Sequence, residues 1–297
     1  MTIKALRTDD GRFDCLPDWP YRPHYIETLV GYPDLRMHYI DEGPSDGELF
    51  LCLHGQPTWA YLYRKMIPVF LESGARVVAP DFFGFGRSDK PVDNDVYTWD
   101  FHRGALVAFI EALDLKDFTL VVQDWGGLLG LSLGADLSER ISGLIVMNTA
   151  FAVGGTPGQG FLDWRDYVAR TPDLAVDRLM QRSCPQLSDA EAAAYGAPFP
   201  DITYKAGVRT FPALVPTNSD MDGVEISKRA LRWWSEEFDG RSFMAIGAND
   251  PVLAGVMPWV RERIRGCTEP LVLDDAGHFV QEWGDQVARA ALAAWDG

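Results

Sequence analysis

Short apolar runs rich in β-branched residues recur along the chain, and longer stretches with helical spacing lie between them. The runs Tyr25–Leu29, Leu35–Asp41, Leu49–Leu53, Arg76–Ala79, Phe118–Val122, Ile141–Met147, Phe243–Gly247 and Leu271–Leu273 are long enough for strands and too short for helices. Gly31-Tyr-Pro33 and Gly43-Pro44 separate the first three as turns. Helical patterns occupy Trp59–Leu71, Thr98–Leu113, the stretch from Gly126 to about Leu137, Ile226–Phe238, Val256–Ile264 and Val280–Trp295. Strands and helices alternating at this spacing predict a mostly parallel eight-stranded sheet with helices on both faces.

The alternation stops between Phe151 and about Gly223. Val153-Gly-Gly-Thr-Pro-Gly-Gln-Gly160 reads as flexible, and helical patterns follow at Phe161–Ala169, Leu174–Arg182 and Ser188–Tyr195 with no strand between them. The expected organisation is a core of residues 1–150 and 224–297, with residues 151–223 inserted as a helical cap. No internal repeat or low-complexity segment interrupts it.

Composition narrows the partners. A chain of 297 residues that is 47% hydrophobic and 24% charged can bury a sizeable core. Its 27 basic and 43 acidic residues leave a formal charge of −16, which argues against nucleic acid or an anionic membrane and leaves a neutral small molecule open. Cys15, Cys52, Cys184 and Cys267 are scattered, so neither a zinc site nor a disulfide frame is signalled. The first ten residues lack the apolar stretch of a signal peptide, and no run is long enough to span a bilayer. A cytoplasmic monomer with reduced thiols is expected.

The chemistry concentrates where Phe118–Val122 ends. Asp124-Trp-Gly-Gly127 turns a strand sharply into a helix, which lifts one side chain clear of the sheet. The next backbone N–H is left at a helix N-terminus, where negative charge is favoured. This is a nucleophile elbow with aspartate in place of the usual serine. Asp tolerates the left-handed conformation an elbow demands, and Gly126 and Gly127 relieve crowding. Two further candidates sit at strand carboxyl ends: Asp250 after Phe243–Gly247, and His278 after Leu271–Leu273. Nucleophile, acid, histidine is the chain order of the α/β-hydrolases. Asp124 is expected to attack, His278 to act as base, and Asp250 to orient the imidazole and stabilise its cation.

Competing positions are weaker. Gly130-Leu-Ser-Leu-Gly134 matches a Gly-x-Ser-x-Gly string but lies inside a helix, so Ser132 is a decoy. His24, His38 and His102 lie away from strand ends and read as surface or structural, and His54 reads as part of a fixed loop. An acid after Ile141–Met147 is ruled out by Asn148, while Asp274 and Asp275 lie too near His278.

His54-Gly-Gln-Pro57, Asp81-Phe-Phe-Gly-Phe-Gly-Arg-Ser-Asp-Lys-Pro91, Val121-Val-Gln-Asp-Trp-Gly-Gly127 and Asp275-Ala-Gly-His-Phe279 resemble haloalkane dehalogenases. The similarity runs over nearly the whole chain and is nearest to the branch acting on short haloalkanes such as 1,2-dichloroethane. It implies an α/β-hydrolase fold with a cap, and hydrolysis of a carbon–halogen bond through an alkyl ester on Asp124. By the same resemblance Trp125 and Trp164, the latter in Phe161-Leu-Asp-Trp164, bind the departing halide. The backbone N–H groups of Gln56 and Trp125 form the oxyanion hole. Position 56 is Gln where that branch carries Glu and other dehalogenases carry Asn, which bears on pH dependence and the rate-limiting step.

Halide leaves without a proton, so no general acid is needed, and two indole donors suit a large soft anion in a dry pocket. No metal or organic cofactor is required. Leu128, Phe161, Phe211, Val215, Leu253 and Phe279 are expected to line a small hydrophobic cavity. The nearest rival is an epoxide hydrolase, whose cap needs tyrosine donors; Tyr167, Tyr195 and Tyr204 are available. A non-catalytic binding protein on the same scaffold would be free to lose the base or the acid, and this chain keeps both.

Overall fold

The computed structural model describes residues 3–295. Ten strands form in chain order: β1 Ala5–Leu6, β2 His24–Ile26, β3 Met37–Glu42, β4 Leu49–Leu53, β5 Arg76–Pro80, β6 Lys90–Pro91, β7 Phe118–Val122, β8 Ile141–Met147, β9 Arg241–Gly247 and β10 Leu271–Leu273. Eight of them make one sheet, ordered β10-β9-β8-β7-β4-β5-β3-β2. From β5 through β10 the neighbours run parallel, while β3 and β2 close the other end antiparallel. This is the mostly parallel eight-stranded sheet expected. In β4 and β7 every residue is buried, because helices cover both faces and leave no alternation to show. The pair β1–β6 is a two-residue ladder that the hydrophobic pattern gave no sign of.

Among the described residues ten α-helices accompany the strands: α1 Ile67–Glu72, α2 Trp99–Ala112, α3 Asp124–Leu131, α4 Gln159–Arg170, α5 Val176–Ser183, α6 Asp189–Gly196, α7 Ala206–Leu214, α8 Val224–Glu236, α9 Met257–Arg261 and α10 Gly284–Trp295. Local chemistry explains several starts. Thr98 accepts from the Phe101 N–H ahead of α2, and Ser188 with Glu191 completes a capping box at α6.

Three expectations are corrected. The single helix read from Trp59 to Leu71 is a 3-10 turn, Ala60–Tyr63, followed by α1. Pro68 lacks an N–H and fits only the first turn of a helix, so the helix restarts there. The last helix likewise divides into a 3-10 turn at Val280–Trp283 and α10. Between β8 and α8 there are four helices rather than three, because α7 forms despite Gly207 and Pro212 within it.

A buried carboxylate orders the loop after β5. Asp81 accepts from the N–H groups of Ala60 and Arg87, each at 2.8 Å, and lies 2.7 Å from His38 Nδ1. Gly86, at φ 49°, lets the loop fold over it, since a Cβ there would strike the carboxylate. His38 is therefore a buried structural partner rather than a surface residue. Burial alone would raise the Asp81 pKa, but His38 and the backbone donors hold it at about 2, against 3.8 ordinarily. The carboxylate is thus more acidic folded than unfolded, so its contribution is complete above about pH 4 and is lost as pH falls towards 2. Asp81→Asn is expected to lower the thermal midpoint at neutral pH and to flatten its acid dependence. Calorimetry at several pH values checks both; parallel wild-type and variant profiles would refute the assignment.

Candidate active site

The elbow forms as its residues require. Gln123 is extended (φ −153°, ψ 152°) and fully buried, and Asp124 takes φ 49°, the left-handed conformation that short polar side chains tolerate. Its N–H donates to the Asn148 carbonyl at 3.0 Å, and Thr149 Oγ1 donates to its carbonyl at 2.8 Å. A side chain at Gly126 would strike the Leu53 carbonyl, and one at Gly127 would strike Thr149. The two glycines let the elbow press against the ends of β4 and β8.

The Asp124 carboxylate points into a cavity of about 610 Å³. Its Oδ1 accepts from the Gln56 N–H at 2.7 Å, and its Oδ2 lies 3.5 Å from His278 Nε2. On the far side of the imidazole, Nδ1 is 2.9 Å from Asp250 Oδ2. Asp250 also accepts from Asn148 Nδ2 and from the Val252 N–H, each at 2.8 Å. The three residues predicted at strand ends are therefore brought together, separated by 126 and 28 residues in sequence.

Electrostatics separate their roles. Burial would raise the Asp250 pKa, but the charge and hydrogen bond of His278, with Asn148 and the Val252 N–H, hold it at about 2. Burial by itself lowers the His278 pKa, but the Asp250 charge and the adjacent Asp124 raise it to about 10. That value belongs to an ionised Asp124.

The remaining predicted residues divide. Gln56, Trp125, Trp164, Leu128, Phe161, Val215, Leu253 and Phe279 all line the cavity. Phe211 does not. It is fully buried on α7 and packs against Trp125 and His102, with ring centroids 4.6 and 4.4 Å away. It backs the cavity wall instead of forming it, because the unforeseen helix turns it towards the core. His102 is likewise buried, among aromatic rings, and burial pushes its pKa down to about 3.

Ser132 is sealed away, donating to the Leu129 carbonyl and accepting from Arg103. His54 bridges the Gly55 carbonyl and the Phe82 N–H, fixing the loop that carries Gln56. The indoles of Trp59 and Trp234 donate to carbonyls. Among the described residues, the indoles of Trp125 and Trp164 make no hydrogen bond to protein, and neither do the buried indoles of Trp99 and Trp295, which lie outside the cavity.

Two neighbours of the triad were not singled out as site residues by sequence reasoning. Asn148 occupies the alternative acid position and braces Asp250. Gln123 donates from its side-chain amide towards both Nε2 and the carbonyl of His278, at 2.9 and 3.0 Å. Its place immediately before the elbow was the available signal. Among the described residues, no group of three or more His, Cys, Asp or Glu is set to hold a metal ion, and no helix is long and apolar enough to cross a membrane.

Residues 48–285 match the family model of the alpha/beta hydrolase fold. A haloalkane dehalogenase of Psychrobacter cryohalolentis is 40% identical, over 97% of this chain and 96% of that one. Haloalkane dehalogenase 1 of Mycobacterium tuberculosis is 42% identical over 99% of both chains. Among solved structures, the haloalkane dehalogenase DpaA of Paraglaciecola agarilytica, described as tetrameric, superposes with a TM-score of 0.96 at 51% identity, covering 98% of this chain and 99% of that one.

Proposed function

The chain belongs to the haloalkane dehalogenases of the α/β-hydrolase fold, and from that premise we propose that Asp124, His278 and Asp250 carry its reaction in two steps. The enzyme hydrolyses a carbon–halogen bond with water as its second substrate. Asp124 Oδ2 displaces halide from a saturated carbon in line, forming an alkyl ester and X⁻. The indole N–H groups of Trp125 and Trp164 take up the anion as its charge develops. Water then gives a proton to His278 and attacks the ester carbonyl, whose oxygen charge is held by the N–H groups of Gln56 and Trp125. On collapse the alkoxide recovers a proton, and the regenerated acid on Asp124 passes one through His278 to solvent. Each turnover yields one alcohol, one halide and one proton.

The observation that carries this reading is the placement of Asp124. Its one carboxylate oxygen is held by a backbone donor, while the other faces the histidine in a cavity that Trp125 and Trp164 both line. The epoxide alternative needs a tyrosine donor in the same cavity. None of Tyr167, Tyr195 and Tyr204 lines it, and Tyr195 is buried against Arg64 and Glu282.

Residues 151–223 act in this reading as the cap that closes the cavity over the core formed by 1–150 and 224–297. The proposed substrates are short terminal bromo- and chloroalkanes, taken up in the cavity beside Asp124.

Bromide release from 1,2-dibromoethane tests it. Wild type is expected to turn over steadily, and Trp164→Phe to lose roughly 10- to 100-fold in kcat/KM, the worth of one hydrogen bond to an anion. Hydrolysis of styrene oxide without bromide release would replace the halide reading by the epoxide one.

A further inference from the structure

The side chain of Gln123 touches the base but has no part in the chemistry described so far. It is fully buried at the end of β7. The His278 carbonyl can only accept a hydrogen bond, and Gln123 Nε2 lies 3.0 Å from it, which places the amide nitrogen on that side. The same nitrogen is 2.9 Å from His278 Nε2, so its second hydrogen points at the ring. The other end of the amide, Oε1, is buried and has no hydrogen-bond partner. A residue present only for packing gains nothing from a half-satisfied buried amide.

Groups facing the imidazole fix what this contact does. Asp250 is ionised and 2.9 Å from Nδ1, so the ring's first proton sits on Nδ1 and Nε2 presents a lone pair. Asp124, 3.5 Å from Nε2, is the other charged group facing it, and it favours a second proton there. Gln123 opposes that proton, since protonation at Nε2 would set two N–H donors against each other at 2.9 Å. We propose that Gln123 is a positioning residue that keeps His278 in its neutral form through the ester stage and so sets the lower pH limit of ester hydrolysis. In the resting enzyme it works against Asp124. After alkylation the Asp124 charge is gone and Gln123 alone faces the lone pair, until the hydrolytic water replaces it. The inference rests on the assignment of Asp124 and His278 made above.

The test follows the two half-reactions separately across pH in wild type, Gln123→Met and Gln123→Glu. Alkylation is read from the burst of bromide released from 1,2-dibromoethane. Ester hydrolysis is read from the decay of the alkylated protein in single turnovers, by mass spectrometry. Methionine removes the donor at similar length, and the acidic limb of ester decay is expected to rise by about one pH unit. Glutamate replaces the donor by an anion, and the limb is expected to rise by about two units. The burst is expected to stay within a few-fold of wild type in both. A limb position does not depend on the fraction of protein that folds, so a poorly folding variant still reports. Limbs that stay put, or that move to lower pH, overturn the inference, as does an equal loss in both half-reactions with the limb fixed. An adduct on Asp124 with unmoved limbs refutes the role of Gln123 alone, whereas no adduct in wild type refutes the underlying assignment with it.

Discussion

Replacing His278 by alanine is expected to leave an enzyme that reacts once and stops. Displacement of halide needs the Asp124 carboxylate and donors for the leaving anion, and none of these comes from His278. The carboxylate stays oriented because its Oδ1 is held by the Gln56 N–H at 2.7 Å, independently of the imidazole. Hydrolysis of the ester loses its general base, worth about 10²- to 10⁴-fold. Mixing His278→Ala with 1,2-dibromoethane should therefore release about one bromide per protein, with steady turnover reduced by about a hundred- to ten-thousandfold. Mass spectrometry of the protein should find the alkyl group on Asp124. Steady turnover near the wild-type rate, or single-turnover release with the label elsewhere, would sink the two-step assignment.

The largest expected effect on stability lies just beyond the active site. Arg64 is sealed from solvent and forms a bidentate pair with the equally buried Glu282, at 2.7 and 2.8 Å. It also reaches Glu191 at 2.9 Å and the hydroxyl of Tyr195, which donates to Glu282. Glu191 and Tyr195 belong to α6, so this network ties α6 to the turns around Arg64 and Glu282. Arg64→Met leaves Glu282 buried with only Lys65, 3.1 Å away, to offset its charge. Breaking one partner of such a pair costs about 3–5 kcal/mol, or roughly 5–8 °C in thermal midpoint at this chain length. The double variant Arg64→Met/Glu282→Leu should regain much of that loss, because no uncompensated charge remains buried. Thermal denaturation of the full double-mutant cycle checks this; a single-variant loss under about 1 kcal/mol would mean the network contributes little. Glu282 lies four residues after His278, in the turn Val280–Trp283. The single variants should therefore also lose activity, by loosening the base.

Much of the site was legible because local rules govern it. The elbow announces itself as a buried strand, an aspartate and two glycines, and the left-handed φ of Asp124 is a conformation few other residues accept there. Asp250 and His278 were legible as polar residues where apolar runs end, which in a parallel sheet is one common edge. The decoy Ser132 could be set aside because helical spacing places it two turns past the elbow. Less was legible where two signals conflict. Gly207 and Pro212 are residues of types that disfavour a helix interior, yet Ala206–Leu214 is helical, with Pro212 near its end. Missing that helix also misplaced Phe211, since a loop phenylalanine was free to face the cavity and the helical one is turned into the core.

Periodicity, turn residues and chain order by themselves determined the eight strands of the sheet and the three residues after strand ends. Each of these depends on backbone preference or on the alternation of neighbours, and both act over a few residues. Tertiary structure alone decided the partners. Gln123 meets His278 across 155 residues of sequence, Asn148 meets Asp250 across 102, and Arg64 meets Glu282 across 218. No local pattern encodes such pairs. They are selected when the sheet closes and each buried polar group must find the donor or acceptor that the fold has brought within reach.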